Sequence, residues 1–99
     1  MEALLFNFSA SVWKYQGKAA WYFVTLPQDL SEEIRFFSHG NRSAWGSVRV
    51  VARIGNQEWK TSLFPDSKLG AYVLPIKADI RKKEKIRESD EVAVECELL

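Results

Sequence analysis

The stretch GSVRVVARIGNQEWKTSLF, Gly46 to Phe64, decides the fold. Val48, Val50, Ala52 and Ile54 alternate with Ser47, Arg49, Val51 and Arg53, the two-residue period of a half-buried strand. Gly55-Asn56 supplies a two-residue turn, and Gln57 to Phe64 run back as a second strand. With Ile54 opposite Gln57, the register puts Ala52 opposite Trp59, Val50 opposite Thr61 and Val48 opposite Leu63 on the inner face. The outer face then pairs Arg53 with Glu58 and Arg49 with Ser62, and the opposite charges of the first pair favour that register.

The second strand contains WKTSLFPD, Trp59 to Asp66, where a serine stands two positions from a lysine. A serine beside a lysine is half of a nucleophile and base pair, but such a nucleophile also needs a base of lowered pKa and an oxyanion hole. The sequence shows neither. Alternation gives the simpler account, in which Lys60 and Ser62 point away from Trp59, Thr61 and Leu63 as polar residues of a strand surface. A hydrolase or transferase using Ser62 is kept as an alternative.

The same period runs outward along the chain. Leu4, Phe6, Phe8, Ala10 and Val12 alternate with Asn7, Ser9 and Ser11, and the aromatic and β-branched run AAWYFVTLP follows a turn region around Gly17. These two strands are expected to form a hairpin. Leu30, Ile34 and Phe37 recur at helical spacing, with Asp29 or Ser31 as cap, Glu32 completing a capping box, and Gly40 closing the helix in the left-handed conformation. After the Pro65-Asp66 turn, Tyr72, Leu74 and Ile76 begin a strand, a short helix is expected from Ala78 to Lys83, and DEVAVECEL ends the pattern with Val92, Val94, Cys96 and Leu98 inward.

YFVTLPQDLSEEIR and YVLPIKADIRKKEKI each read as a strand that meets a proline and enters a helix, a hint of internal duplication. About six strands with two short helices make a mainly β fold. A small closed or split barrel hides its strand edges and is preferred, with a β-sandwich as the competitor.

A length of 99 residues suits one domain, 1–99, and 46% hydrophobic with 27% charged residues is the balance of a folded protein. The formal charge of +1 supplies no global field toward nucleic acid or anionic lipid, so any basic site must be local. One cysteine forms no internal disulfide, the first residues are unlike a signal peptide, and no apolar run reaches the roughly 20 residues of a membrane span. A cytoplasmic protein without a membrane segment is expected. One histidine and one cysteine offer no metal cluster, and five scattered glycines form no phosphate or dinucleotide loop, so no metal or cofactor is expected.

Cys96, inward on its strand, reads as a small apolar residue. RKKEKIRESDE, Arg81 to Glu91, mixes bases with acids as a solvated face does. The four tryptophans, 13, 21, 45 and 59, read first as packing. Trp45, near Arg42 and followed by Gly46, also suits a groove in which an aromatic face and a guanidinium hold a flat or anionic group.

With WKYQGKAAWYFVTLP, GSVRVVARIG, WKTSLFPD and GAYVLPIKADIR in place, the chain resembles over nearly its whole length the bacterial family called domain of unknown function 1905. The resemblance implies a double-split, pseudo-symmetric β-barrel similar to the fold of AbrB-type transition regulators, and no activity. The family's usual Gly-Asp before the last strand stands here as Ser89-Asp90. The expected function is a non-enzymatic binding or interaction module. Its groove, near Arg42, Trp45, Lys60, Ser62 and Arg81, would take a small anionic or aromatic ligand or a protein segment. A monomer or weak homodimer is expected. Nucleic-acid binding by analogy with the AbrB-type fold is a further alternative, weakened by the near-zero charge.

Overall fold

The turn residues divide the alternating pattern into strands, and the computed structural model describes residues 4–17, 19–40 and 46–99. In chain order these form β1 (Leu5–Ser11), β2 (Trp13–Lys14), β3 (Tyr22–Thr25), α1 (Gln28–Phe37), β4 (Val48–Ile54), β5 (Gln57–Asp66), β6 (Ala71–Pro75), α2 (Ala78–Lys83) and β7 (Glu91–Leu98). The architecture is mainly β: seven strands in one curled sheet, ordered β1-β7-β4-β5-β6-β3-β2, with two helices.

The central hairpin has the expected register throughout, from Ile54 opposite Gln57 to Val48 opposite Leu63. Gly55 takes φ +57 at the first turn position, where a side chain would be strained. Arg53 and Glu58 form an ion pair at 2.6 Å, and the Arg53 guanidinium also reaches Glu95 and Glu97 of β7. Hydrogen bonds to Glu97, Glu58 and Glu95 hold this guanidinium's pKa above its ordinary value. The outer face is less open than alternation alone implies, since Val51 and Ser62 are also buried.

The strand count rises from six to seven because the N-terminal strand divides at Val12. Its first part, β1, pairs with β7, Phe6 opposite Cys96 and Phe8 opposite Val94. Only the short β2 pairs with β3, Trp13 opposite Phe23, so the expected N-terminal hairpin is confined to its last residues. At the switch, Val12 N–H donates to Asp90 O and Ser89 N–H donates to Val12 O, both at 2.8 Å. Consecutive parts of one segment thus occupy the two ends of the strand order.

The hinted duplication shows in the pairing. β1 pairs with β7 as β5 pairs with β4, β2 with β3 as the end of β5 with β6, and the halves meet through β4–β7 and β3–β6. Across the β3–β6 junction Leu26 N–H donates to Tyr72 O and Ile76 N–H donates to Tyr22 O, both at 2.9 Å. These residues correspond at a constant offset of 50 positions in the sequence.

The inward side chains form one cluster that includes Phe6, Phe8, Val24, Val50, Leu63, Leu74 and Val94. Each aliphatic side chain of this kind contributes about 1.5–3 kcal/mol by leaving water. Cys96 belongs to this cluster, and burial, followed by the nearby Glu95 carboxylate, pushes its thiol up to about 12. It packs as an apolar residue.

Helix α1 departs from its expected cap. Pro27 is the N-cap residue, no side chain caps the helix, and Ser31 N–H makes the first-turn bond to Pro27 O at 2.9 Å. Asp29 accepts only the neighbouring Leu30 N–H, while Ser31 is fully buried and its Oγ accepts Tyr72 N–H at 3.0 Å. The proline starts the helix early and turns Ser31 toward β6, where it ties helix to sheet. Gly40 has the expected left-handed φ, +88.

Candidate functional site

A cleft of about 360 Å³ opens between β5 and β6, and the chain itself explains why. β6 pairs with β5 at Phe64–Val73, Pro65–Tyr72 and Asp66–Ala71. The next hydrogen-bonded position in that register would set Ser62 opposite Pro75, which has no N–H to give. The ladder stops there and the strands part. Trp59, Lys60 and Thr61 line one wall, and Ile76, Lys77 and Arg81 line the other. Trp21 and Tyr22 also border the space.

Arg81 is held in place by two contacts. Its Nε donates to Ile76 O at 3.0 Å, and its guanidinium carbon lies 3.9 Å from the centroid of the Tyr22 ring. Lys14 approaches the same ring, with Nζ 5.9 Å from the centroid. The backbone under Arg81 is fixed as well, because Ile86 N–H donates to Arg81 O and Lys85 N–H donates to Lys82 O, the pair of bonds that closes a Schellman motif. Lys85 supplies its left-handed residue at φ +54, where glycine is usual.

Lys60 and Lys77 are both exposed. With Arg81 they make three cations on the lining, and among the described residues no aspartate or glutamate lines it. The chain's small net charge therefore conceals a local basic site.

Of the residues singled out from sequence, Lys60 and Arg81 come together across this cleft. Ser62 does not line it: the residue is 8% exposed and its Oγ accepts a bond from Arg49 Nη1 at 3.3 Å. A guanidinium stays protonated and cannot act as a base toward that hydroxyl. Arg42 and Trp45 lie outside the described residues. Lys77 was missed and Trp21 was read first as packing, since Lys77 directly precedes the expected helix and Trp21 falls within the strand-like run, signals that bear on fold more than on a site.

The tryptophans divide by position. Trp59 is 8% exposed at the base of the cleft, whereas Trp21 is 54% exposed and stacks on Phe23 with ring centroids 6.1 Å apart. Trp13 packs on Phe23 from another side and its Nε1 donates to Thr25 Oγ1 at 2.9 Å. Beyond Trp21 the outer sheet face continues as an apolar hollow lined by Tyr15, Phe23, Phe64 and Val73.

Among the described residues no group of three or more histidine, cysteine, aspartate or glutamate side chains is placed to hold a metal ion. No described helix is long and apolar enough to cross a membrane. A model of the family described as Domain of unknown function (DUF1905) matches residues 8–96. No curated protein matches the chain.

Proposed function

The chain belongs to the DUF1905 family, whose description assigns no activity, and we propose from its surface that it is a non-enzymatic binding module. The cleft between β5 and β6 holds an anionic group beside a flat or apolar one. The observation that carries this reading is the placement of Lys60, Lys77 and Arg81 around one space bordered by Trp21, Tyr22 and Trp59, with no carboxylate among the described residues of the lining. Charge-assisted hydrogen bonds fix the anion, and the rings take the apolar body. Arg81 is prepared for this: one N–H is engaged by Ile76 O and the guanidinium carbon lies over the ring of Tyr22, leaving the terminal nitrogens as donors.

We read the curled sheet as the split barrel that the resemblance implies, and the exchanged pairing of the two halves supports that reading. On this view the seam beside Pro75 is one of its splits, and the fold itself creates the binding space.

A thermal-shift titration with indole-3-acetate, benzoate and their neutral amides tests the function. The acids are expected to raise the melting temperature more than the amides, and a Lys60→Gln/Lys77→Gln double variant is expected to lose that difference. Equal responses from acid and amide, or from parent and variant, would remove the proposal.

A further inference from the structure

We propose that the cleft takes an added β-strand, an extended acidic segment of a partner protein, hydrogen-bonded along the free edge of β5. This rests on the basic character assigned to the cleft above and adds the identity of the occupant.

The backbone sets out the argument. In an antiparallel hairpin closed by a two-residue turn, the closing pair exchanges hydrogen bonds and every second pair thereafter does the same. Here those pairs are Ile54–Gln57, Ala52–Trp59, Val50–Thr61 and Val48–Leu63. The N–H and C=O groups of Glu58, Lys60 and Ser62 therefore point away from β4. β6 takes up that edge only from Phe64 onward. Among the described strands none takes up the edge from Glu58 to Ser62, and Lys60 at its middle lines the cleft; donors and acceptors arrayed at strand spacing are the feature that lets one chain extend another's sheet.

The walls define the segment. An extended chain places successive side chains on opposite sides at about 3.4 Å per residue, so an incoming strand of about five residues spans Glu58 to Ser62. Lys60, Lys77 and Arg81 call for aspartate or glutamate on it, while Trp21 and Trp59 call for an apolar side chain beside the acid. A small aromatic acid uses the cations and rings but leaves the edge unpaired. Single-stranded nucleic acid would stack and pair its phosphates, yet it offers no ladder of alternating N–H and C=O groups. Of these occupants, only a peptide answers both the side chains and the backbone.

The test is selection of a random heptapeptide library displayed on phage against the intact chain, with the Lys60→Glu/Lys77→Glu variant as counter-selection. The enriched peptides are expected to alternate acidic with apolar residues. Hydrogen exchange at the amide of Lys60 is expected to slow at least tenfold when a selected peptide binds. The same peptide with alternate backbone nitrogens methylated, its charge unchanged, is expected to bind at least tenfold more weakly. Equal binding of the methylated peptide overturns strand addition while leaving the anion site intact. Failure to enrich any sequence, with small aromatic acids or an oligothymidylate still bound in a charge-dependent way, also overturns it. If no anion of any kind distinguishes parent from variant, the underlying cleft reading falls too.

Discussion

The guanidinium carbon of Arg81 lies over the Tyr22 ring, 3.9 Å from its centroid, and links the second helix to β3 of the other half of the fold. This contact and the bond from Nε to Ile76 O make Arg81 structural as well as a candidate ligand contact. Arg81→Ala is expected to destabilise by about 1–2 kcal/mol, the sum of a stacked cation and a hydrogen bond. Arg81→Lys should recover part of this, because charge is kept but the guanidinium and its Nε bond are not. Urea unfolding midpoints check both.

Ser31 is expected to behave as a buried hydrogen-bonding residue and not as a cap. Its replacement by alanine leaves Tyr72 N–H without its partner in the interior, at a cost of about 1–3 kcal/mol. Asp29→Ala should cost less than about 0.5 kcal/mol, since Asp29 touches only the next residue's amide at the surface. Paired urea titrations that ranked these two the other way would contradict the assignment.

Among the described residues two that are not glycine occupy left-handed backbone, Lys85 at φ +54 and Ser89 at φ +74. Lys85→Gly and Ser89→Gly are each expected to raise stability by about 0.5–1 kcal/mol, the steric relief exceeding the entropy glycine adds to the unfolded chain. Ser89 stands where the family resemblance implies glycine. Thermal melts of the single and double variants are expected to show additive gains, the two sites acting in separate turns.

Cys96 links stability to alkaline pH. Its folded thiol is pushed up to about 12 from the ordinary 9.0, first by burial and then by Glu95. As pH rises the unfolded chain releases this proton first, so the group's contribution is fully present below pH 9 and is lost toward pH 12. The loss is up to about 1.4 kcal/mol per pH unit within that window. The parent should fall more steeply there than Cys96→Val, and parallel curves would refute the linkage. At pH 8 the native thiol is expected to resist an aromatic disulfide reagent until denaturant is added.

The legible parts of this fold were the local ones. Gly55-Asn56 announces a turn, and strict alternation on either side leaves one register that buries Val50, Ala52 and Trp59 together. The partner of Phe6 carried no such signal, because Cys96 lies far along the chain and antiparallel pairing leaves no local mark on either residue. Ser31 illustrates a different limit: serine near a helix start reads as a cap, and only the position of β6 shows that its hydroxyl is spoken for. The site followed the same division. Lys60 and Arg81 stood out as cations, but the cleft they share depends on a missing N–H at Pro75, whose effect emerges only once β5 and β6 are known to be neighbours.

The pairing of β1 with β7 has a consequence for biosynthesis. The earliest of these strands to leave the ribosome has to wait for the latest, carrying Phe6 and Phe8 uncovered while the β4–β5 hairpin is already able to form. Completion therefore waits for β7 and is dominated by long loops, and folding is expected to be slow. In that interval the nascent protein is most vulnerable to self-association, and a holding chaperone would have most to protect.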